Sequence, residues 1–287
     1  MAADLLKRKL NKLEDIVVAY RRVLIAYSGG VDSSFLLKSA VCFLGSENVL
    51  AITAVSPTYT QKELKAAKEI AEGLGVAHRV IDTNEVDDPR FKANPENRCY
   101  YCKSELFSRL QKIARTEGIA YVLDATNADD LKDYRPGQEA KKECGVHSPL
   151  AEAGMAKKDI RALSKEFGLK TWNAPQAACL ASRFAYGQEI TVEDLNRIEK
   201  AEEYIRSLGF KMVRVRHYQL PDKTKLARIE VDTKDMPNLV PASPAGRLRQ
   251  SSLVHRLRKL GYTYVTLDLE GYRSGSMNEG IKHKFKI

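Results

Sequence analysis

The chain has 287 residues, of which 44% are apolar and 29% charged, and a formal net charge of +10. That apolar share is enough for a sizeable core in one large or two modest domains and excludes a disordered chain. No run of about 18 uninterrupted apolar residues occurs, and the charged amphipathic start, residues 1–12, lacks a cleavable apolar core, so a soluble cytoplasmic protein is expected.

Leu5, Leu6, Leu10, Leu13, Ile16 and Val17 recur at helical spacing, and residues 21–27 read as a short apolar strand. A helix over 32–44, a buried strand over 48–55, a helix over 60–74 ended by Gly75 and a strand over 76–82 follow. A helix around 103–116, a strand over 120–124 and an amphipathic helix near 156–167 ended by Gly168 continue the alternation. Such alternation implies an α/β fold with a parallel sheet covered on both faces.

Residues 171–187 have no clean period and read as a structured linker or active-site loop, placing the end of the first domain near 185. Beyond it a helix (191–208), two strands (211–217 and 225–232), a helix (244–260) and a strand (262–269) predict a smaller α+β domain over 186–287. In the first of those strands the two-residue period sets Val213 and Val215 on one face and Arg214 and Arg216 on the other. The second repeats this, with Ala227, Ile229 and Val231 against Arg228 and Glu230.

The strongest local signal is Ser28-Gly29-Gly30-Val31-Asp32-Ser33, between a buried strand and a helix start, where open α/β sheets bind ligands. Two glycines permit close backbone approach, the hydroxyls of Ser28 and Ser33 suit phosphate oxygens, and the helix N-terminus supplies oriented N–H groups. Asp32 is placed to hold a magnesium ion on a polyphosphate. The lysine of a Walker A loop is missing, which argues against γ-phosphoryl transfer. The spacing instead resembles the PP-loop of the ATP-pyrophosphatase superfamily, whose members cleave between the α and β phosphates and leave AMP on an oxygen of the substrate.

Five cysteines, an odd number, argue against a disulfide framework. Cys42, in an apolar run, reads as a small buried residue, and Cys144 is unassigned. Cys99-Tyr-Tyr-Cys102, ahead of the helix predicted at 103–116, suits a redox dithiol, half a zinc site or cluster ligands. Together with Cys179 on the 171–187 loop, these thiolates suit three irons of a [4Fe–4S] cluster whose fourth iron carries a nucleophilic sulfide. Arg183, close behind Cys179, is placed to stabilise charge developing at an attacked carbonyl. Asp124 and Asp130, near a strand end, are magnesium or nucleotide candidates, and Glu202 is a candidate substrate contact.

Taken together, AYSGGVDSS (26–34), LDATNADDLKDYRPG (123–137), CLASRFAYG (179–187), SLGFKMVRVRHY (207–218) and YVTLDLEGYRSGSMN (264–278) resemble the LarE family. Those ATP-dependent sulfur transferases serve the nickel-pincer nucleotide cofactor of lactate racemase. The resemblance implies that a carboxylated pyridinium mononucleotide is adenylated with ATP and Mg2+, and that sulfur displaces AMP to leave a thiocarboxylate, twice per cofactor. It also implies that Ser28, Gly29, Gly30, Asp32 and Ser33 bind ATP, that Arg214 and Arg216 grip the substrate phosphate, and that the enzyme is a homo-oligomer. One branch of the family gives up its own cysteine, at the position of Cys179. The presence of Cys99 and Cys102 makes this chain similar to the cluster-containing branch, which takes up sulfide or another sulfur donor.

The basic charge also suits a tRNA thiolase of the same superfamily, but the second domain lacks the concentrated basic and aromatic surface of an RNA platform. A non-catalytic nucleotide-binding adaptor would need none of the three cysteines. An amide-forming ligase would use ammonia and need no cluster.

Overall fold

The structure is a computed structural model and describes residues 2–132, 137–175, 178–239, 244–273 and 275–278. Residues 133–136 and 274 of the family-like stretches, and 176–177 of the loop before Cys179, lie outside the described residues. The chain opens with α1 (Ala2–Tyr20), β1 (Val23–Ala26), α2 (Val31–Leu44), β2 (Val49–Val55), α3 (Gln61–Gly73), β3 (Ala77–Asp82) and a short α4 (Pro89–Lys92). It continues with α5 (Arg98–Thr116), β4 (Tyr121–Leu123), α6 (Gly137–Glu143), α7 (Pro149–Glu152) and α8 (Lys157–Glu166). The last elements are α9 (Val192–Ser207), β5 (Val213–Gln219), β6 (Lys225–Val231), α10 (Pro244–Lys259) and β7 (Tyr264–Leu267).

Two compact units result: Met1–Glu85 with Asn97–Ala177, and Val86–Glu96 with Ala178–Ile287. The first holds a parallel sheet of order β3-β2-β1-β4. Strand alternation divides its core in two, because Val23 and Ile25 point into a cluster with Leu13, Val17, Phe35 and Leu163, while Leu24 joins Phe107, Leu110 and Val122 on the other face. A capping box between Thr60 and Glu63 fixes the start of α3.

In the second unit β5 and β6 are antiparallel and β6 and β7 parallel. One face packs Val213, Val215, Ala227, Ile229 and Val231 against Ala201 and Ile205 of α9 and Leu253 and Leu257 of α10. Residues 86–96 belong here because Gly187 donates to the Asn94 carbonyl at 2.9 Å, Ile190 to the Lys92 carbonyl at 2.9 Å, and Asn94 Nδ2 to the Ala185 carbonyl at 2.7 Å. Among the described residues no helix is long and apolar enough to cross a membrane.

Candidate active site

In the first unit, the strand order reverses direction at β1, with β2 on one side and β4 on the other, so the loops leaving β1 and β4 flank a topological switch point. The β1 loop is Ser28–Gly30. Gly29 has φ +70°, and a Cβ there would lie 2.8 Å from the Cβ of Ala67 on α3, so conformation and space both demand glycine. Gly30 is the N-cap of α2 with no side-chain cap, leaving the helix N–H groups for a ligand. The Ser28 and Ser33 hydroxyls lie 3.1 Å apart, and Tyr59 Oη donates to the Ser28 carbonyl at 2.8 Å.

Asp32, on the first turn of α2, receives the ammonium of Lys157 from the start of α8. Burial raises the pKa of this carboxyl despite the lysine, and the charge of Asp130 adds to the rise. Its Oδ1 is buried and without a hydrogen-bond partner among the described residues. A hard carboxylate oxygen of that kind fits a magnesium ligand. Lys157 escaped the sequence reading because it meets Asp32 only through the fold. The backbone N–H of Lys157 also donates to Asp129 at 2.8 Å, which ties α8 to the β4 loop.

Asp124 accepts from the Thr126 hydroxyl at 2.6 Å and from the Ser148 hydroxyl, which in turn accepts from the buried Lys141 ammonium at 2.7 Å. Asp130 accepts from the Asn127 N–H at 3.1 Å. Both aspartates therefore shape the second loop of the switch point.

The sequence suggested that Cys99 and Cys102 precede a helix; instead they lie within the first turns of α5, which begins at the buried Arg98. Their spacing puts both thiols on one helical face near the positive end of the helix dipole, accessible in Cys99 and half-buried in Cys102, and that donor set fits soft-metal ligation. Among the described residues neither unit by itself gathers three His, Cys, Asp or Glu side chains as a metal site. Cys42 is exposed, contrary to expectation, because α2 turns Phe35, Leu36, Leu37 and Ala40 inward instead.

Cys179, in the second unit, is exposed and caps a 3-10 turn over Leu180–Arg183. Arg183 is 3% exposed: Nε and Nη2 donate to Glu202 at 2.9 and 3.0 Å, while Nη1 donates to the carbonyls of Ala178 and Cys179 at 2.5 and 2.9 Å. Glu202 is wholly buried, also accepts from Arg206 and from the Val215 N–H, and has a lowered pKa, burial opposing but the arginines prevailing. Its acceptors face Arg183, Arg206 and the Val215 N–H inside the protein.

Arg214 and Arg216 share one face of β5, as the period requires, yet both are buried. Arg214 lies over the Tyr272 ring at 5.4 Å. Arg216 donates to Glu230 at 2.7 Å, Ser276 at 2.9 Å and the Ser182 carbonyl at 3.0 Å. Its Nε is buried without a partner among the described residues, as is that of Arg228, its register partner on β6. Both guanidinium groups also face carboxylates, Arg216 on Glu230 and Arg228 on Glu230 at 3.4 Å and Asp268 at 3.0 Å, so the like charges of the ladder are offset while each keeps a spare Nε donor.

A glycine loop at the switch point of a parallel sheet, an open helix N-terminus and a poised aspartate define an ATP-binding α/β enzyme of the PP-loop class. A sequence model of the NAD synthase family matches residues 3–117. The pyridinium-3,5-bisthiocarboxylic acid mononucleotide synthase of Lactiplantibacillus plantarum is 39% identical over 91% of this chain and 90% of its own. Uncharacterized proteins of Synechocystis sp. (47% identical, 96% of this chain and 98% of theirs) and Methanocaldococcus jannaschii (32%, 88% and 92%) are similar from end to end. The chain belongs to the LarE family of PP-loop enzymes.

Proposed function

We propose that this enzyme is an ATP-dependent sulfur transferase that converts the carboxylates of pyridinium-3,5-biscarboxylic acid mononucleotide to thiocarboxylates for a nickel-pincer nucleotide. The near-full-length match to the named synthase carries the reading, joined to a loop built for a polyphosphate. Gly29, Gly30, Ser28 and Ser33 hold the ATP phosphates, Asp32 would hold magnesium, and Lys157 moves from Asp32 to phosphate oxygens. A substrate carboxylate oxygen attacks the α-phosphorus and pyrophosphate leaves. A sulfur nucleophile then attacks the acyl carbon and AMP leaves with the bonding electron pair.

Arg214 and Arg216 hold the substrate phosphate, and Asp124 and Asp130 shape the nucleotide side. Cys99, Cys102 and Cys179 would hold a [4Fe–4S] cluster, which would supply the sulfide nucleophile. Arg183 and Glu202 keep Cys179 in position. The same reading carries a homo-oligomeric cytoplasmic enzyme that acts on a small molecule and needs neither membrane nor RNA.

The test is anaerobic purification followed by iron, sulfide and visible-absorption measurements on the parent and on Cys99→Ala, Cys102→Ala and Cys179→Ala. A brown protein with about four irons per chain, lost in each variant, is expected. A colourless, iron-free parent that still makes thiocarboxylate once per chain would replace the cluster with a sacrificial Cys179.

A further inference from the structure

The phosphate site proposed on β5 and the turn that carries Cys179 are wired together inside the second unit. Arg216 offers one edge of its guanidinium to Glu230 and Ser276, while Nη1 donates to the Ser182 carbonyl at 3.0 Å, within the Cys179 turn. Its Nε stays buried and unpartnered among the described residues, and the residue is 5% exposed. Glu202 makes the second link, accepting from the Val215 N–H at 3.1 Å, between the two phosphate arginines, and from Arg183. Arg183 closes the circuit on the carbonyls of Ala178 and Cys179.

We infer that a phosphomonoester held by Arg216 fixes the turn bearing Cys179, so that the substrate's unreactive phosphate presets the sulfur-delivering end of the site. The inference rests on the phosphate assignment above and adds a role to it. An anion accepting from Nε orders a guanidinium whose other edge already grips Ser182, and a planar fork transmits that order because its donors move as one body. Binding energy from a remote, non-reacting group is thereby spent on positioning. Arg183 and Glu202 act as positioning residues in this scheme.

The experiment uses the full chain without metal and follows iodoacetamide labelling of each cysteine by mass spectrometry. Inorganic phosphate or nicotinic acid mononucleotide is titrated in, and binding of the same probe is measured by calorimetry. Cys179 is expected to label about fivefold more slowly at saturation, with the half-saturation seen in calorimetry, while Cys99 and Cys102 keep their rates. Arg183→Lys, checked for an unchanged melting transition, is expected to bind the probe and lose the protection. Saturable binding with unchanged Cys179 labelling would overturn the coupling and leave the phosphate assignment standing. Absence of binding would overturn both.

Discussion

The ammonium of Lys157 rests on the carboxylate of Asp32, joining the first turn of α8 to the first turn of the helix behind the glycine loop. The pair places a cation and a carboxylate oxygen together where the polyphosphate is expected. Lys157→Ala is expected to weaken ATP binding by about 10- to 100-fold, the loss of one charge-assisted hydrogen bond, with Lys157→Arg intermediate. Calorimetric titration with ATP and Mg2+ measures it, and an unchanged affinity would remove Lys157 from the phosphate site.

Asp32 also predicts a conflict between stability and function. Burial raises its folded pKa above the ordinary 3.8, so its ionised form costs stability that is absent at low pH and grows as pH rises through the folded value. Asp32→Asn is therefore expected to melt above the parent at neutral pH, to lose that advantage as pH falls toward 3.8, and to release almost no pyrophosphate. Melting curves across pH, with a pyrophosphate assay, test both halves.

Gly29→Ala forces a side chain into φ +70° and to within 2.8 Å of the Ala67 Cβ. A loss of about 1–3 kcal/mol is expected from strain, together with weaker ATP binding as the loop backs away from α3. Urea unfolding beside an ATP titration separates the two effects.

Glu202 accepts from two arginines while wholly buried, and removing its charge takes the carboxylate counter-charge from the buried Arg183. Glu202→Gln is expected to cost about 3–5 kcal/mol. Because the folded pKa lies below the ordinary 4.5, this stabilisation is present above that value and is lost as pH falls through the folded one. The acid limb of unfolding should thus flatten in Glu202→Gln; an unaltered limb would show that the pair carries no pH-dependent stability.

Much of this architecture was legible because hydrophobic period and glycine punctuation are local. The strands at 49–55 and 77–82 and the helix behind the glycine loop fell within a residue or so of expectation. Lys157 was not legible, since an ion pair between residues 125 positions apart leaves no mark in either segment. Nor was the attachment of residues 86–96 to the second unit, because it is made by Asn94 and Lys92 bonding to a distant loop. The period of β5 placed Arg214 and Arg216 on one face, but their burial needed Glu230, Ser276 and Tyr272 from other elements.

The most direct measurement supplies the anaerobic enzyme with Mg2+, ATP, sulfide and pyridinium-3,5-biscarboxylic acid mononucleotide, then analyses nucleotides and product by mass spectrometry. The account predicts AMP and pyrophosphate in equal amounts, with sulfur replacing one carboxylate oxygen for each ATP consumed. Formation of ADP and phosphate, or of AMP with no sulfur in the product, would contradict it.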